Sequence, residues 1–134
     1  MNILRLINSP RGEASYGIKL GNAVVERLRE THSDSILKTR NVSQHPFPYL
    51  EEVHITSFFT PKELYTPELA EAVKHSDEAI EELADADVIV IDTPMYNFGI
   101  TATQKSWIDH IARAGKTFKY SEAGALVKVN QFKF

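Results

Sequence analysis

Val88-Ile89-Val90-Ile91, four consecutive β-branched residues between Asp87 and Asp92, constrain the fold more than any other segment. Such side chains are stiff at χ1 and pack well on a pleated surface, and an unbroken apolar run leaves no face for solvent. The segment therefore predicts a central strand covered on both sides, as in a parallel sheet flanked by helices. Residues 3–7, Ile-Leu-Arg-Leu-Ile, predict a second buried strand that stops at the turn cluster Asn8-Ser9-Pro10-Arg11-Gly12. Residues 36–42 alternate loosely and predict an edge strand.

Helices separate these strands. Over residues 15–31, Ile18, Val24, Val25 and Leu28, with Gly21 among them, share one face at helical spacing. Residues 43–66 contain Pro46, Pro48 and Pro61 and no sustained period, so they read as a long excursion, with one helical turn opened by a capping box at Thr60-Pro61-Lys62-Glu63. Thr66-Pro67 repeats the cap-then-proline signal, and Leu69, Val73, Ile80 and Leu83 carry one apolar stripe through Ala84. Trp107, Ile108, Ile111 and Ala114 mark a last helix, with Arg113 in its final turn and Gly115 at the C′ position. The alternation of strand and helix predicts right-handed crossovers in a doubly wound α/β layer, with ligands bound beyond the strand C-termini where the strand order switches. Residues 124–134 alternate and suggest a fourth strand. The expectation is a single domain over residues 1–134, its parallel sheet incomplete at the C-terminus with three or four strands.

Composition narrows the function classes. A chain of 134 residues, 43% hydrophobic, is long enough to bury one core. A net charge of −3 supplies no basic footprint for nucleic acid or an anionic membrane. The absence of cysteine excludes disulfides, thiolate metal sites and a cysteine nucleophile. The apolar N-terminal stretch is too short for a signal peptide and no run reaches membrane-spanning length, which leaves a cytoplasmic protein as the expectation. His32, His45, His54, His75 and His110 lack metal-ligand spacing and read as surface or helix-end residues. Glu78, Glu81, Glu82, Asp85 and Asp87 read as a solvated helix face and strand edge.

Two loops are the candidates to carry chemistry. Residues 8–17, Asn-Ser-Pro-Arg-Gly-Glu-Ala-Ser-Tyr-Gly, leave a strand and enter a helix, where unpaired N–H groups and the hydroxyls of Ser9 and Ser15 suit phosphate oxygens. Equally, Ser15 is a good helix cap and Ser9 a good turn opener. The loop lacks both the P-loop lysine and the three-glycine dinucleotide spacing, which disfavours ATP hydrolysis and a Rossmann NAD site. Residues 93–100, Thr-Pro-Met-Tyr-Asn-Phe-Gly-Ile, place Met95, Tyr96 and Phe98 around Asn97 at the C-terminal sheet edge. Those side chains form either a surface for a flat conjugated ring or plugs between loop and helix.

Pro94-Met95-Tyr96-Asn97-Phe98, the helical segment from Lys105 ending Ala112-Arg113-Ala114-Gly115, the Lys116-Thr117-Phe118-Lys119-Tyr120 that follows, and the Ser9-Pro10-Arg11-Gly12 start resemble the FMN-dependent NADH azoreductase and quinone reductase family. The likeness runs from Met1 to about Gly124 and implies a flavodoxin-like fold, of which this chain supplies the N-terminal two-thirds. The resemblance implies a homodimeric, FMN-dependent oxidoreductase that takes hydride from NADH or NADPH and passes two electrons to quinones or azo compounds by a ping-pong cycle. Carried over residue by residue, Ser9 and Ser15 hold the FMN phosphate with Tyr16 and Gly17 nearby. Met95, Tyr96, Asn97 and Phe98 contact the flavin, and Tyr120 lines the acceptor pocket. No side chain is required as acid or base.

The chain departs from the family at Gly17, where relatives commonly carry a serine, and at Thr101 and Gln104, which suggest a looser start to the helix that follows. It also ends before the family's later Ser-Arg-Gly-Gly flavin loop. An alternative is therefore a non-catalytic remnant that binds flavin or a partner, or a nonfunctional fragment.

Overall fold

The computed structural model of the protein describes residues 1–122 and 124–127. These divide into two compact units, one of residues 1–46 and 85–105, the other of 47–84 and the described residues from 106 onward.

In the first unit, strands β1 (Asn2–Ile7), β2 (Ile36–Asn41) and β3 (Val88–Asp92) form a parallel sheet in the order β2-β1-β3. Ile3 lies opposite Leu37 and Val88, and Ile7 opposite Asn41 and Asp92. The central strand is thus β1, whose Ile3, Leu4 and Leu6 are almost fully buried. The expectation that residues 88–91 form the central strand is corrected. β3 pairs along one edge only among the described residues, Val88 to Val90 are half-buried and Ile91 is exposed. An apolar run reveals a strand but not how many neighbours it has. β2 takes the predicted edge position.

Helix α1 (Tyr16–Thr31) lies against β3 with Gly21 and Val25 buried. Its buried face is narrower than the apolar pattern suggested, leaving Val24 exposed, because the approach is made at Gly21. A Cβ added there would sit 1.9 Å from Asp92 Oδ1. That carboxylate is one half of a buried ion pair. Arg5 Nε and Nη2 donate to Asp92 Oδ2 at 2.8 and 2.5 Å, and Nη2 also donates to the Ile18 carbonyl of α1 at 3.1 Å. Burial pushes the Asp92 carboxyl up from its ordinary value, opposed by the hydrogen bond and charge of Arg5.

In the second unit, helix α2 (Glu52–Phe59) occupies a stretch read from sequence as irregular. Its eight residues are too few to show a sustained period. Its start is held locally, by the Glu51 N–H donating to His54 Nδ1 at 3.0 Å. Thr60 closes α2 instead of opening a turn, and Pro61 begins the 3-10 turn Lys62–Leu64 without a side-chain cap. Helix α3 (Pro67–Asp85) follows the cap-then-proline signal, with Thr66 Oγ1 accepting from the Leu69 N–H at 3.3 Å. Its inner face carries Val73, Ser76, Ala79, Leu83 and also Glu82, which is buried and does not belong to the solvated face.

Helix α4 (Ala102–Ile111) ends before Arg113 and Gly115, which therefore fall in the next turn and not in the helix and at its C′ position. In that turn Gly115 adopts φ +82° and its N–H donates to the Phe118 carbonyl at 2.7 Å. Arg113 is buried, its Nη1 donating to Ser76 Oγ at 3.0 Å and to Asp77 Oδ1 at 2.5 Å. Strands β4 (Phe118–Ser121) and β5 (Gly124–Val127) form an antiparallel hairpin, so residues 124–127 pair locally. The rest of the strand suggested at 124–134 lies outside the described residues.

Two of the histidines read as surface or helix-end residues, His54 in the first turn of α2 and His110 in the last turn of α4, stand at helix ends but are buried. His110 is fully buried, its ring 5.3 Å from that of Phe47, 5.4 Å from that of His54 and 6.2 Å from that of Phe58. Its Nε2 bonds the Pro48 carbonyl at 2.9 Å and Nδ1 has no partner. Contacts distant in sequence bury this ring, which no local pattern reports. Among the described residues no group of three His, Cys, Asp or Glu side chains is placed to hold a metal ion, and no helix is long and apolar enough to cross a membrane.

Two measurements check this packing. Asp92→Asn leaves the Arg5 charge buried without its counter-charge, and urea unfolding is expected to show a loss of about 3 kcal/mol or more. For His110, burial chiefly lowers the pKa below its ordinary 6.5, aided by His54 and His75 and opposed by the Pro48 hydrogen bond and Asp109. The unfolded chain then binds the proton first, so stability is complete above pH 6.5 and falls as pH drops from there toward the lower folded value. Melting curves between pH 7.5 and 5 are expected to show that decline, and His110→Gln to lessen it.

Candidate functional site

The strand order places a topological switch at β1, because the chain passes from β1 to β2 on one side and then to β3 on the other. Such a switch leaves a crevice at the C-terminal strand ends, where the loops after the two flanking strands diverge. Here those are the loops after β1 and β3, the two that the sequence singles out.

The first loop begins with the Asn8 N–H donating to the Asp92 carbonyl at 2.9 Å, which extends the β1–β3 ladder one residue past β1. The Ser9 carbonyl lies 3.1 Å from Ser43 Oγ, whose one proton it shares with Asn41 Oδ1 at 2.7 Å. Ser43 is itself held in an Asx turn, since Asn41 Oδ1 accepts from the Ser43 N–H at 3.1 Å and the Gln44 N–H at 3.2 Å. A 3-10 turn at Gly12–Ala14 then leads to Ser15. Ser15 Oγ accepts from the Ile18 N–H at 3.4 Å, so Ser15 is the N-cap of α1. This capping does not consume the hydroxyl. An oxygen that accepts from the backbone still has its own proton to donate. The N–H groups of Tyr16 and Gly17 open the helix and have no intrahelical acceptor by geometry. A Cβ at Gly17 would meet Ser15 Oγ at 3.6 Å and the Thr93 carbonyl at 3.7 Å, which are ordinary contacts that bring the two loops side by side.

Three buried polar atoms in this loop have no partner, namely Ser9 Oγ and both the Nδ2 and Oδ1 of Asn8. Ser9 is 2% exposed and Asn8 0%. Buried polar groups are nearly always paired, and leaving one unpaired costs about 1–3 kcal/mol, so such a cluster calls for a partner, a ligand group or a buried water.

The second loop is open to solvent. Met95 is 76% exposed, Tyr96 41% and Phe98 99%, so these side chains do not plug the core. Tyr96 and Gly99 exchange two backbone hydrogen bonds of 3.0 Å each, closing a two-residue turn on Asn97 and Phe98. Both central residues have positive φ, +49° and +64°. Asn tolerates that region, but for Phe it costs on the order of 1–3 kcal/mol. The loop thus holds an aromatic ring wholly in solvent on a strained backbone, a state that packing within this unit does not repay. Its base is tight. Thr93 Oγ1 donates to Gln104 Oε1 at 2.5 Å, and Thr101 Oγ1 accepts from the Gln104 N–H at 3.1 Å as the cap of α4. Thr101 and Gln104 therefore tighten the helix start, where the sequence suggested loosening.

The first unit brings together Ser9, Ser15, Tyr16, Gly17, Met95, Tyr96, Asn97 and Phe98 on the loops flanking one switch point. Tyr120 belongs to the second unit, on β4, where it is exposed and packs edge-to-face on Phe118 with ring centres 5.3 Å apart. Sequence reasoning missed Asn8, Ser43 and Thr93. The Asn41-Val42-Ser43 turn signal after β2 was present, but nothing in it says which loop Ser43 reaches. Phe98→Gly tests the strain directly. With no packing to lose and a backbone that glycine adopts freely, the variant is expected to be more stable by about 1 kcal/mol, read from thermal or urea unfolding.

Residues 1–132 match the family model described as flavodoxin-like fold. A protein of Aromatoleum aromaticum named FMN-dependent NADH:quinone oxidoreductase is 41% identical over 124 residues, covering 92% of this chain and 62% of its own length. A protein of the same name from Marinomonas is 40% identical over 129 residues, covering 96% of this chain and 66% of its own. Among solved structures, an azoreductase from Bacillus anthracis superposes with a TM-score of 0.84 at 28% identity, covering 94% of this chain and 62% of that one. The chain spans about three-fifths of the length of the first of these relatives.

Proposed function

The chain belongs to the flavodoxin-like fold family, as a relative of the FMN-dependent NADH:quinone oxidoreductases, and from that premise we propose that it binds FMN at the two loops and serves as an NAD(P)H oxidoreductase acting on quinones and azo compounds. The observation that carries the reading is the pairing, at one switch point, of an orphaned, phosphate-compatible loop with a wholly exposed aromatic loop. Phosphate oxygens accept hydrogen bonds, and Ser9 Oγ, the remaining proton of Ser15 Oγ and the first N–H groups of α1 donate them, with the positive end of the helix dipole behind. Met95, Tyr96 and Phe98 offer apolar and π surface to a flat tricyclic ring, and Asn97 offers hydrogen bonds at its edge. When bound, FMN would supply the two-electron redox chemistry between a nicotinamide and the acceptor, in the ping-pong sequence of this reading. The protein's part is to hold and orient, and no side chain of the site is needed as acid or base.

Tyr120 is the residue of this reading that lines the acceptor pocket, in a homodimer working in the cytoplasm. Those parts rest on the likeness to the relatives.

The decisive test is an FMN titration of the purified chain followed by flavin fluorescence and melting temperature, then NADH oxidation with a quinone. Saturable quenching, a raised melting temperature and turnover are expected. Binding without NADH oxidation would favour the non-catalytic flavin-binding alternative, and no binding would sink both. Gly17→Ser adds a hydroxyl at a position whose Cβ fits. It is expected to tighten FMN binding up to about tenfold, the worth of one added hydrogen bond, and to leave riboflavin, which has no phosphate, unaffected.

A further inference from the structure

We propose that Asn8 belongs to the cofactor site and holds hydroxyl groups of the polyol chain that joins the phosphate of FMN to its ring; this rests on the flavin reading above. Asn8 is fully buried, yet neither Nδ2 nor Oδ1 of its carboxamide has a partner, which makes it the most costly unsatisfied group in the first unit. Its backbone is not at fault, since the Asn8 N–H is paired with the Asp92 carbonyl. An apolar residue would fill a buried position at the end of β1 without that cost, so the amide calls for an occupant with complementary groups.

Its place says where along a flavin that occupant lies. Asn8 directly precedes Ser9, the first of the phosphate-binding residues, and its backbone is bonded to Asp92, which directly precedes Thr93 and the ring-binding loop. It is therefore the residue at which the two loops meet, between the group bound at one and the group bound at the other. The chemistry agrees. A carboxamide presents a donor and an acceptor. Ionised phosphate oxygens only accept, and the apolar body of a flavin ring does neither. A polyol hydroxyl donates and accepts at once, and so satisfies both orphaned atoms.

Three flavins separate the parts. Lumiflavin has the ring without the polyol, riboflavin adds the polyol, and FMN adds the phosphate. Titration of the wild-type chain and of Asn8→Ala with each, followed by fluorescence quenching, gives two affinity ratios. The riboflavin-to-lumiflavin ratio is expected to fall about tenfold in Asn8→Ala, as the loss of one or two neutral hydrogen bonds implies, while the FMN-to-riboflavin ratio stays unchanged. Asn8→Ser, which keeps one donor and acceptor, is expected to restore part of the ratio. Equal weakening of all three flavins would make Asn8 a structural residue, or one satisfied by buried water, and would overturn the inference, as would no change at all. The wild type alone also decides it if the variants fail to fold, because equal affinity for riboflavin and lumiflavin leaves no polyol contact to assign. A wild-type chain that binds none of the three overturns the flavin reading itself, whereas binding without the Asn8 effect overturns this inference only.

Discussion

Both candidate loops of the first unit hang from the buried pair between Arg5 and Asp92. The guanidinium of Arg5, on the central strand, reaches the carboxylate at the end of β3 and the Ile18 carbonyl in the first turns of α1. One side chain thereby ties the three elements from which both site loops emerge. A buried pair of this kind adds little stability compared with apolar residues of the same volume, because desolvating two charges offsets their attraction. What it imposes is geometry. Breaking either half strands a charge, so the spacing of β1, β3 and α1 is held to the one arrangement that satisfies both. Gly21 follows from the same constraint, since no side chain fits where α1 meets the Asp92 carboxylate.

On that frame sit features that weaken the isolated chain. Phe98 stands fully exposed in a left-handed conformation, and Asn8 and Ser9 keep polar atoms buried and unpaired. Each costs on the order of a kilocalorie or more, against a total stability of only about 5–15 kcal/mol for a domain. They concentrate on two loops flanking one switch point, while the bases of the same loops are well bonded through Ser43 and through Thr93 with Gln104. Firm backbone supports beside unpaired polar side chains and an exposed ring are what a binding site needs, because the geometry is organised before the ligand arrives.

Legibility in the sequence followed the range of the interactions. The three strands, α1, α3 and both loops could be read because apolar runs, caps such as Ser15 and Thr66, and proline positions act within a few residues. The fold class followed from their alternation. Helix α2 escaped because its start depends on a single reciprocal contact between Glu51 and His54 and its residues show no period. The burial of His110 was not legible because Phe47, Pro48, His54 and Phe58, all at least fifty residues earlier, surround it. Thr101 and Gln104 looked like weak substitutions for the same reason, since their value lies in the cap and in Thr93 eleven residues away from Gln104.

By itself the sequence determined that this chain forms a parallel α/β sheet, and it singled out the two loops that follow β1 and β3. Those properties depend on side-chain shape, backbone propensity and short-range periodicity. Tertiary structure alone decided that β1 and not β3 is central among the described strands and that Phe98 is presented to solvent. It also decided that Asn8 is the buried amide without partners. Neighbour number, hydrogen-bond saturation and exposure are properties of how distant segments meet, and no local pattern of residues contains them.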